Sequence, residues 1–294
     1  MLLENWINEK TNRIESYLKE IVEIKNNPQR IIYESMNYSL MSGGKRLRPI
    51  LMLGAYEIFD NNIEKAMPFA CAMEMIHTYS LIHDDLPAMD DDDYRRGRLS
   101  NHKMFDEATA ILAGDALLNK AFEVGFDAVE KYDLHIKRVS KALYVIVKSS
   151  GTEGMIGGQI VDINGKFNNI DELKYMYSLK TGAIIKSSVA AGAILGGAKD
   201  EEIICLEKYA ELLGLAFQIE DDILDVIGTQ EKLGKPIGSD AVNEKITYLS
   251  FVSIDEAKKH VEKYTDDAIC NLNIFGEKGF YLAELAKYLT NRDH

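Results

Sequence analysis

Two stretches of this chain are apolar on nearly every side, yet both end in aspartates. Ala66–Ile82 (AMPFACAMEMIHTYSLI) and Tyr209–Val226 (YAELLGLAFQIEDDILDV) carry few charges at helical spacing. A helix without a broad polar face belongs in the middle of a large bundle. The chain has 294 residues, and at ~300 residues about three quarters of the unfolded surface can be buried. Helical periodicity also dominates elsewhere, with only five prolines to interrupt it. The expected helices are Glu4–Lys25, Gln29–Met41, Pro49–Phe59, Ile63–Asp85, Asp106–Glu130, Leu134–Ser149, Asp171–Leu195, Asp200–Val226, Asp255–Asn271 and Glu277–Leu289. Asp106, Asp171 and Asp255 read as N-caps, and Pro28 and Pro49 stand near helix starts. No alternating strand runs into an Asn-Gly or Asp-Gly turn. The expectation is an all-α fold, a single large helical bundle in one domain, residues 1–294.

Two long stretches lack periodicity, Leu86–Phe105 and Gly228–Thr247, and each follows an aspartate cluster. Loops of that length within a compact domain are usually functional. The first cluster, DDLPAMDDDDYRRG, holds six aspartates between Asp84 and Asp93, with Arg95 and Arg96 directly after. Asp84 and Asp85 end an apolar helix, and Pro87 turns the chain so that Asp90 can fold back. In the second cluster Gln218, Asp221, Asp222 and Asp225 follow helical i, i+3, i+4, i+7 spacing and form one polar stripe. Buried carboxylates without partners cost several kcal/mol or become protonated, and near a helix C-terminus they also oppose the macrodipole. DDILD alone reads equally as an exposed acidic helix end. Two such clusters on two central helices point to cations, and oxygen ligands without nearby cysteine favour magnesium bridging to phosphate.

Charge and composition remove other classes. The net charge is −13, where a nucleic-acid binder needs a basic face. Carboxylates that hold cations can still attract phosphate, so the acidic total does not exclude phosphorylated substrates. No apolar run reaches the ~20 residues needed to span a bilayer, and MLLENWINEK is not a signal peptide. Cys71, Cys205 and Cys270 are odd in number and flanked by apolar residues, which reads as buried reduced thiols in the cytoplasm. In GGKRLRP, a glycine pair leads to Lys45, Arg46 and Arg48 beside a helix start. That is either an anion site or a solvated basic turn. His77, seven residues before Asp84, lies on nearly the same helix face.

DDLPAMD and DDILD resemble the two aspartate-rich motifs of the trans-isoprenyl diphosphate synthases, the first with the spacer of bacterial farnesyl diphosphate synthases. The likeness extends to GGKRLRP (Gly43–Pro49), MIHTYSLIHDDLPAMDDDDYRRG (Met75–Gly97), GMIGGQ (Gly154–Gln159), KTG (Lys180–Gly182), FQIEDDILD (Phe217–Asp225), GKPIGSD (Gly234–Asp240) and a closing RD. The resemblance implies the isoprenoid synthase fold, one bundle around a central active-site cavity, and a homodimer. It implies three magnesium ions on Asp84, Asp85, Asp90, Asp221 and Asp225. Gly44, Lys45, Arg48, Arg96 and His77 would hold isopentenyl diphosphate. Arg95, Lys180 and Lys235 would grip the allylic diphosphate, dimethylallyl or geranyl, with Thr181 and Gln218 beside the developing cation. The expected reaction is ionisation, condensation and elimination, releasing pyrophosphate and giving farnesyl diphosphate. Geranyl or geranylgeranyl diphosphate synthase, or a non-catalytic subunit of this fold, are the alternatives. A terpene cyclase would not need the second basic pocket, and a di-metal carboxylate bundle would need Glu-x-x-His pairs. Tyr79, five residues before Asp84, is expected to set product length, although Ser80 is better aligned with Asp84 on the helical wheel.

Overall fold

The computed structural model describes residues 2–227 and 246–290, and it is helical almost throughout. The helices are α1 (Leu2–Ile21), α2 (Arg30–Leu40), α3 (Leu47–Glu57), α4 (Met67–Asp84), α5 (Asn101–Met104), α6 (Glu107–Lys131), α7 (Ile136–Ser150), α8 (Met155–Asn164), α9 (Ile170–Tyr177), α10 (Ala183–Gly196), α11 (Asp200–Ile227), α12 (Ile254–Cys270) and α13 (Phe280–Thr290). Chain contacts divide these into two compact units, residues 1–53 with 62–139, and residues 54–61 with 140–294.

In the first unit α4 is buried from Met67 to Ile76, and its main partner is α6. The packing is close at Gly114 of α6, where a Cβ would lie 2.1 Å from His83 Nε2. In the second unit α11 packs on α10 and α12, and α8 packs on the segment that joins α9 to α10. Leu173, Met176, Tyr177, Ile219, Ile223, Tyr248, Ala257 and Val261 form an apolar cluster there.

Four expectations need correction. Asp106 caps α6 through the Thr109 amide, but the caps of α9 and α12 are Asn169 and Ser253, each two residues before the aspartate expected there. Asp171 and Asp255 sit in the first turn instead, where their charge still favours the helix dipole. The helix expected over Asp171–Leu195 is broken by a π turn at Ser178–Gly182. α8 was not expected, because Gly157 and Gly158 weaken its helical signal. Cys71 is buried, but Cys205 is half-buried and Cys270 exposed; all three are free thiols.

Candidate active site

The end of α4 folds as the sequence suggests. After Pro87 the chain turns back, and the Asp90 amide donates to the Asp84 carbonyl at 2.9 Å. A two-residue hairpin then pairs Tyr94–Arg95 with Arg98–Leu99. Its loop residues, Arg96 and Gly97, both have positive φ (53° and 74°), as a type I′ turn requires. Glycine suits that backbone, whereas Arg96 occupies it against its own preference.

The hairpin fixes the place of both arginines. Arg95 Nε donates to Asp85 Oδ1 at 2.9 Å, and its Nη2 reaches Asp92 at 3.1 Å. Arg96 Nη1 donates to the Gly43 carbonyl. Gly44 has φ +124°, and a Cβ there would lie 2.6 Å from the Arg96 guanidinium, so this glycine is needed for both backbone and space. His77 is half-buried on α4. Burial, then the charges of Arg48, Arg96, Arg95 and Arg46, push its pKa well below the usual value, so it is neutral at pH 7. Of these, Arg48 and Arg96 act most strongly, whereas Arg95 is paired with Asp85 and Arg46 with Glu74.

Of the basic residues in GGKRLRP, Lys45 is exposed and Arg48 is half-buried, with its charge acting on His77. Arg46 does something different. Its side chain is fully buried, with Nη1 2.7 Å from Glu74 of α4 and Nη2 2.9 Å from the Leu40 carbonyl. It anchors the turn to α4.

The acidic side is crowded. Asp85 is 2% exposed. Burial, with Asp92 and Asp90 nearby, raises its pKa, while Arg95 pulls it back. Asp84 is half-buried and Asp90 exposed. Tyr79 is 5% exposed and packs edge-to-face on His83. Burial and the Asp84 charge push its pKa up to about 12. Its hydroxyl has no hydrogen-bond partner among the described residues. Ser80 is half-buried and donates to the His77 carbonyl at 2.9 Å.

In the second unit the π turn carries Lys180 and Thr181, both half-buried. Such a turn adds a residue to the helical register and is frequent at functional sites. Gly158 lets α8 approach: a Cβ there would be 2.2 Å from the Lys180 amide. Lys180 Nζ pairs with Asp162 of α8 at 2.5 Å. Asp162, the partner of Lys180, is not expected from the sequence; it lies three residues after Gln159, one turn beyond the glycine pair. Gln218, Asp221 and Asp225 are half-buried on α11. Asp222 departs from the expected polar stripe. It is 6% exposed and accepts from the Tyr177 hydroxyl and, at 2.8 Å, from the Tyr248 amide. Lys235 lies outside the described residues.

Among the described residues, no three His, Cys, Asp or Glu side chains cluster as a ready-made metal cage. The donors are all carboxylates, Asp85 among them with its pKa raised by burial and by the charges of Asp92 and Asp90, and magnesium usually takes a few carboxylates and completes its shell with water and phosphate. The chemistry of the donor set fits that ion.

A profile described as polyprenyl synthetase matches residues 29–273. The chain belongs to the polyprenyl synthetase family. Relatives of this polyprenyl synthetase include a geranylgeranyl diphosphate synthase of Cyanophora paradoxa, 44% identical over 94% of each chain. A farnesyl diphosphate synthase of Geobacillus stearothermophilus is 42% identical over 99% of this chain and 98% of its own. The crystal structure of an FPP/GFPP synthase from Zymomonas mobilis superposes with a TM-score of 0.87 at 34% identity, covering 98% of each chain. The polyprenyl synthetase has the all-α isoprenoid synthase fold and is a trans-prenyltransferase. Its family uses magnesium with diphosphate substrates. Among the described residues, no helix is long and apolar enough to cross a membrane.

Proposed function

We propose that this prenyltransferase condenses isopentenyl diphosphate with dimethylallyl or geranyl diphosphate and stops at farnesyl diphosphate. The observation that carries this reading is that Arg48 and Arg96 act on the neutral His77, with Arg96 held at Gly43 and Gly44, distinct from the Arg95–Asp85 pair at the aspartate end of α4. An enzyme handling one diphosphate with magnesium has no use for a second, purely cationic pocket; a condensing enzyme does. Gly44, Lys45, Arg48, Arg96 and His77 are assigned to isopentenyl diphosphate. Arg95, Lys180 and Lys235 are assigned to the allylic diphosphate, with Asp84, Asp85, Asp90, Asp221 and Asp225 for three magnesium ions.

Magnesium, when bound, neutralises diphosphate oxygens and stabilises the leaving group. The protein holds the two substrates so that the allylic carbon–oxygen bond breaks first, its electron pair leaving with pyrophosphate, and the isopentenyl double bond then attacks the resulting cation. A proton is then lost to the departing pyrophosphate, which leaves no separate protein base to be assigned. Thr181 and Gln218 present neutral dipoles to the cation, stabilising it without capturing it. We assign both compact units to one catalytic domain, since the family match runs across both. We also propose a homodimer, in which a second copy covers the exposed Ile111, Leu112 and Phe126 of α6. Three free thiols suit a reducing cytoplasm.

Pyrophosphate release from geranyl plus isopentenyl diphosphate, with each alone as control, tests the reaction. No release from the pair would refute it. Lys45→Ala and Arg48→Ala are expected to weaken isopentenyl diphosphate by about 1.5–3 kcal/mol and the allylic substrate much less. Equal losses for both would mean the pockets are assigned the wrong way round.

Product length rests on Tyr79, buried one turn and a half below Asp84 with its hydroxyl unpartnered among described groups. Such a ring closes an apolar space more readily than the small, internally bonded Ser80. Chromatography should give a fifteen-carbon product from the native chain and twenty carbons or more from Tyr79→Ala or Tyr79→Ser. A native twenty-carbon product would favour the second reading, geranylgeranyl diphosphate synthase, which the similarity to the Cyanophora enzyme also supports. A fifteen-carbon product from both variants would remove Tyr79 from the role.

A further inference from the structure

The middle aspartate of DDILD is placed unlike its neighbours. Asp221 and Asp225 are half-buried, whereas Asp222 is 6% exposed and turned into the protein. One of its oxygens, Oδ2, accepts two hydrogen bonds, from the Tyr177 hydroxyl and from the Tyr248 amide. Both donors are themselves held. Tyr177 is the last residue of α9, immediately before the π turn with Lys180 and Thr181. Tyr248 is fully buried; its hydroxyl lies 2.8 Å from His260 Nδ1, and Lys174 stands over its ring.

We propose that Asp222 is a positioning residue and not a metal ligand: it ties the entrance of the π turn to the aspartate end of α11. The proposal deepens the prenyltransferase reading above and rests on it. A π turn is a rare, single-turn departure from the helix on either side, so contacts outside the turn are needed to fix its register. The Tyr177–Asp222 bond supplies one at its first boundary, and Gly158, with the Lys180–Asp162 pair, supports it from α8. Losing the tether lets Lys180 and Thr181 shift relative to Asp221 and Asp225, all of which serve the allylic diphosphate. The isopentenyl pocket belongs to other residues and is untouched.

The test uses the full-length chain with Tyr177→Phe, Asp222→Ala and Asp222→Asn. Tyr177→Phe removes only the hydroxyl, so it remains informative should Asp222→Ala fail to fold. Tyr177→Phe and Asp222→Ala are expected to raise the allylic KM about tenfold, the order set by one hydrogen bond to a charged group. The isopentenyl KM should stay unchanged. Asn keeps an oxygen that can accept both bonds, so Asp222→Asn should rescue the allylic KM and leave the magnesium activation midpoint alone. A shifted magnesium midpoint in Asp222→Asn, or a native allylic KM in Tyr177→Phe, would overturn the proposal. Thermal stabilisation by magnesium plus inorganic pyrophosphate reads the same end of the site without turnover. There, weaker stabilisation of Tyr177→Phe supports the tether and native stabilisation refutes it. A wild-type chain that binds pyrophosphate but makes no prenyl product would count against the function alone.

Discussion

Asp84→Ala and Asp221→Ala are each expected to lose at least about a thousandfold in kcat, the scale of several kcal/mol of leaving-group stabilisation. Both side chains are half-buried at the C-terminal ends of central helices. Burial and the helix dipole both oppose an anion at either position, and at Asp84 the charge of Arg95 offsets only part of that. Removing one carboxylate relieves that opposition, so the apo variants should melt no earlier than the native chain. Pyrophosphate release across a magnesium titration, with thermal unfolding alongside, measures both halves. Near-normal turnover at saturating magnesium in either variant would mean that residue binds no catalytic metal.

The largest expected stability effect lies at Arg46 and Glu74, which meet at 2.7 Å with both side chains buried. Glu74→Ala leaves a buried guanidinium without its main counter-charge, and breaking such a pair costs about 3–5 kcal/mol. Denaturant unfolding should show that loss. Replacing both residues with apolar side chains of similar volume is expected to recover most of it, because the pair's attraction largely offsets its desolvation. A Glu74→Ala chain as stable as the native one would mean that solvent or another acid, such as Glu15 at 3.6 Å, takes over the charge.

Much of this was legible from residue order. The central place of α4 followed from an apolar pattern that left no face for water, and the return of Asp90 followed from Pro87. What escaped depends on partners distant in sequence. Arg46 looks no different from Lys45 or Arg48 until Glu74, 28 residues later, is seen to claim it. Asp222 has stripe spacing, yet the donors that turn it inward come from Tyr177 and Tyr248. α8 was hidden because glycine lowers helical propensity locally, while the benefit of Gly158 is the close approach of another backbone. Arg95 and Arg96 were recognised as basic residues beside the aspartates, but the hairpin that aims them carries an arginine where turn chemistry favours asparagine or glycine.

The π turn has a consequence for anyone seeking to make this chain hardier. One residue more than a regular helix turns everything beyond it by about 100°. Deleting a residue between Tyr177 and Ala183 would let α9 and α10 fuse into one regular helix. The same deletion would present a different face of α10 to α11, away from the contact at Gly182 and Gly214, and carry Lys180 or Thr181 off its bearing. Helical regularity and the aim of those side chains are therefore opposed at this point. Since α10 is buried along most of its length, that rotation would also expose core residues, so libraries built for robustness should keep the length of Ser178–Gly182 fixed.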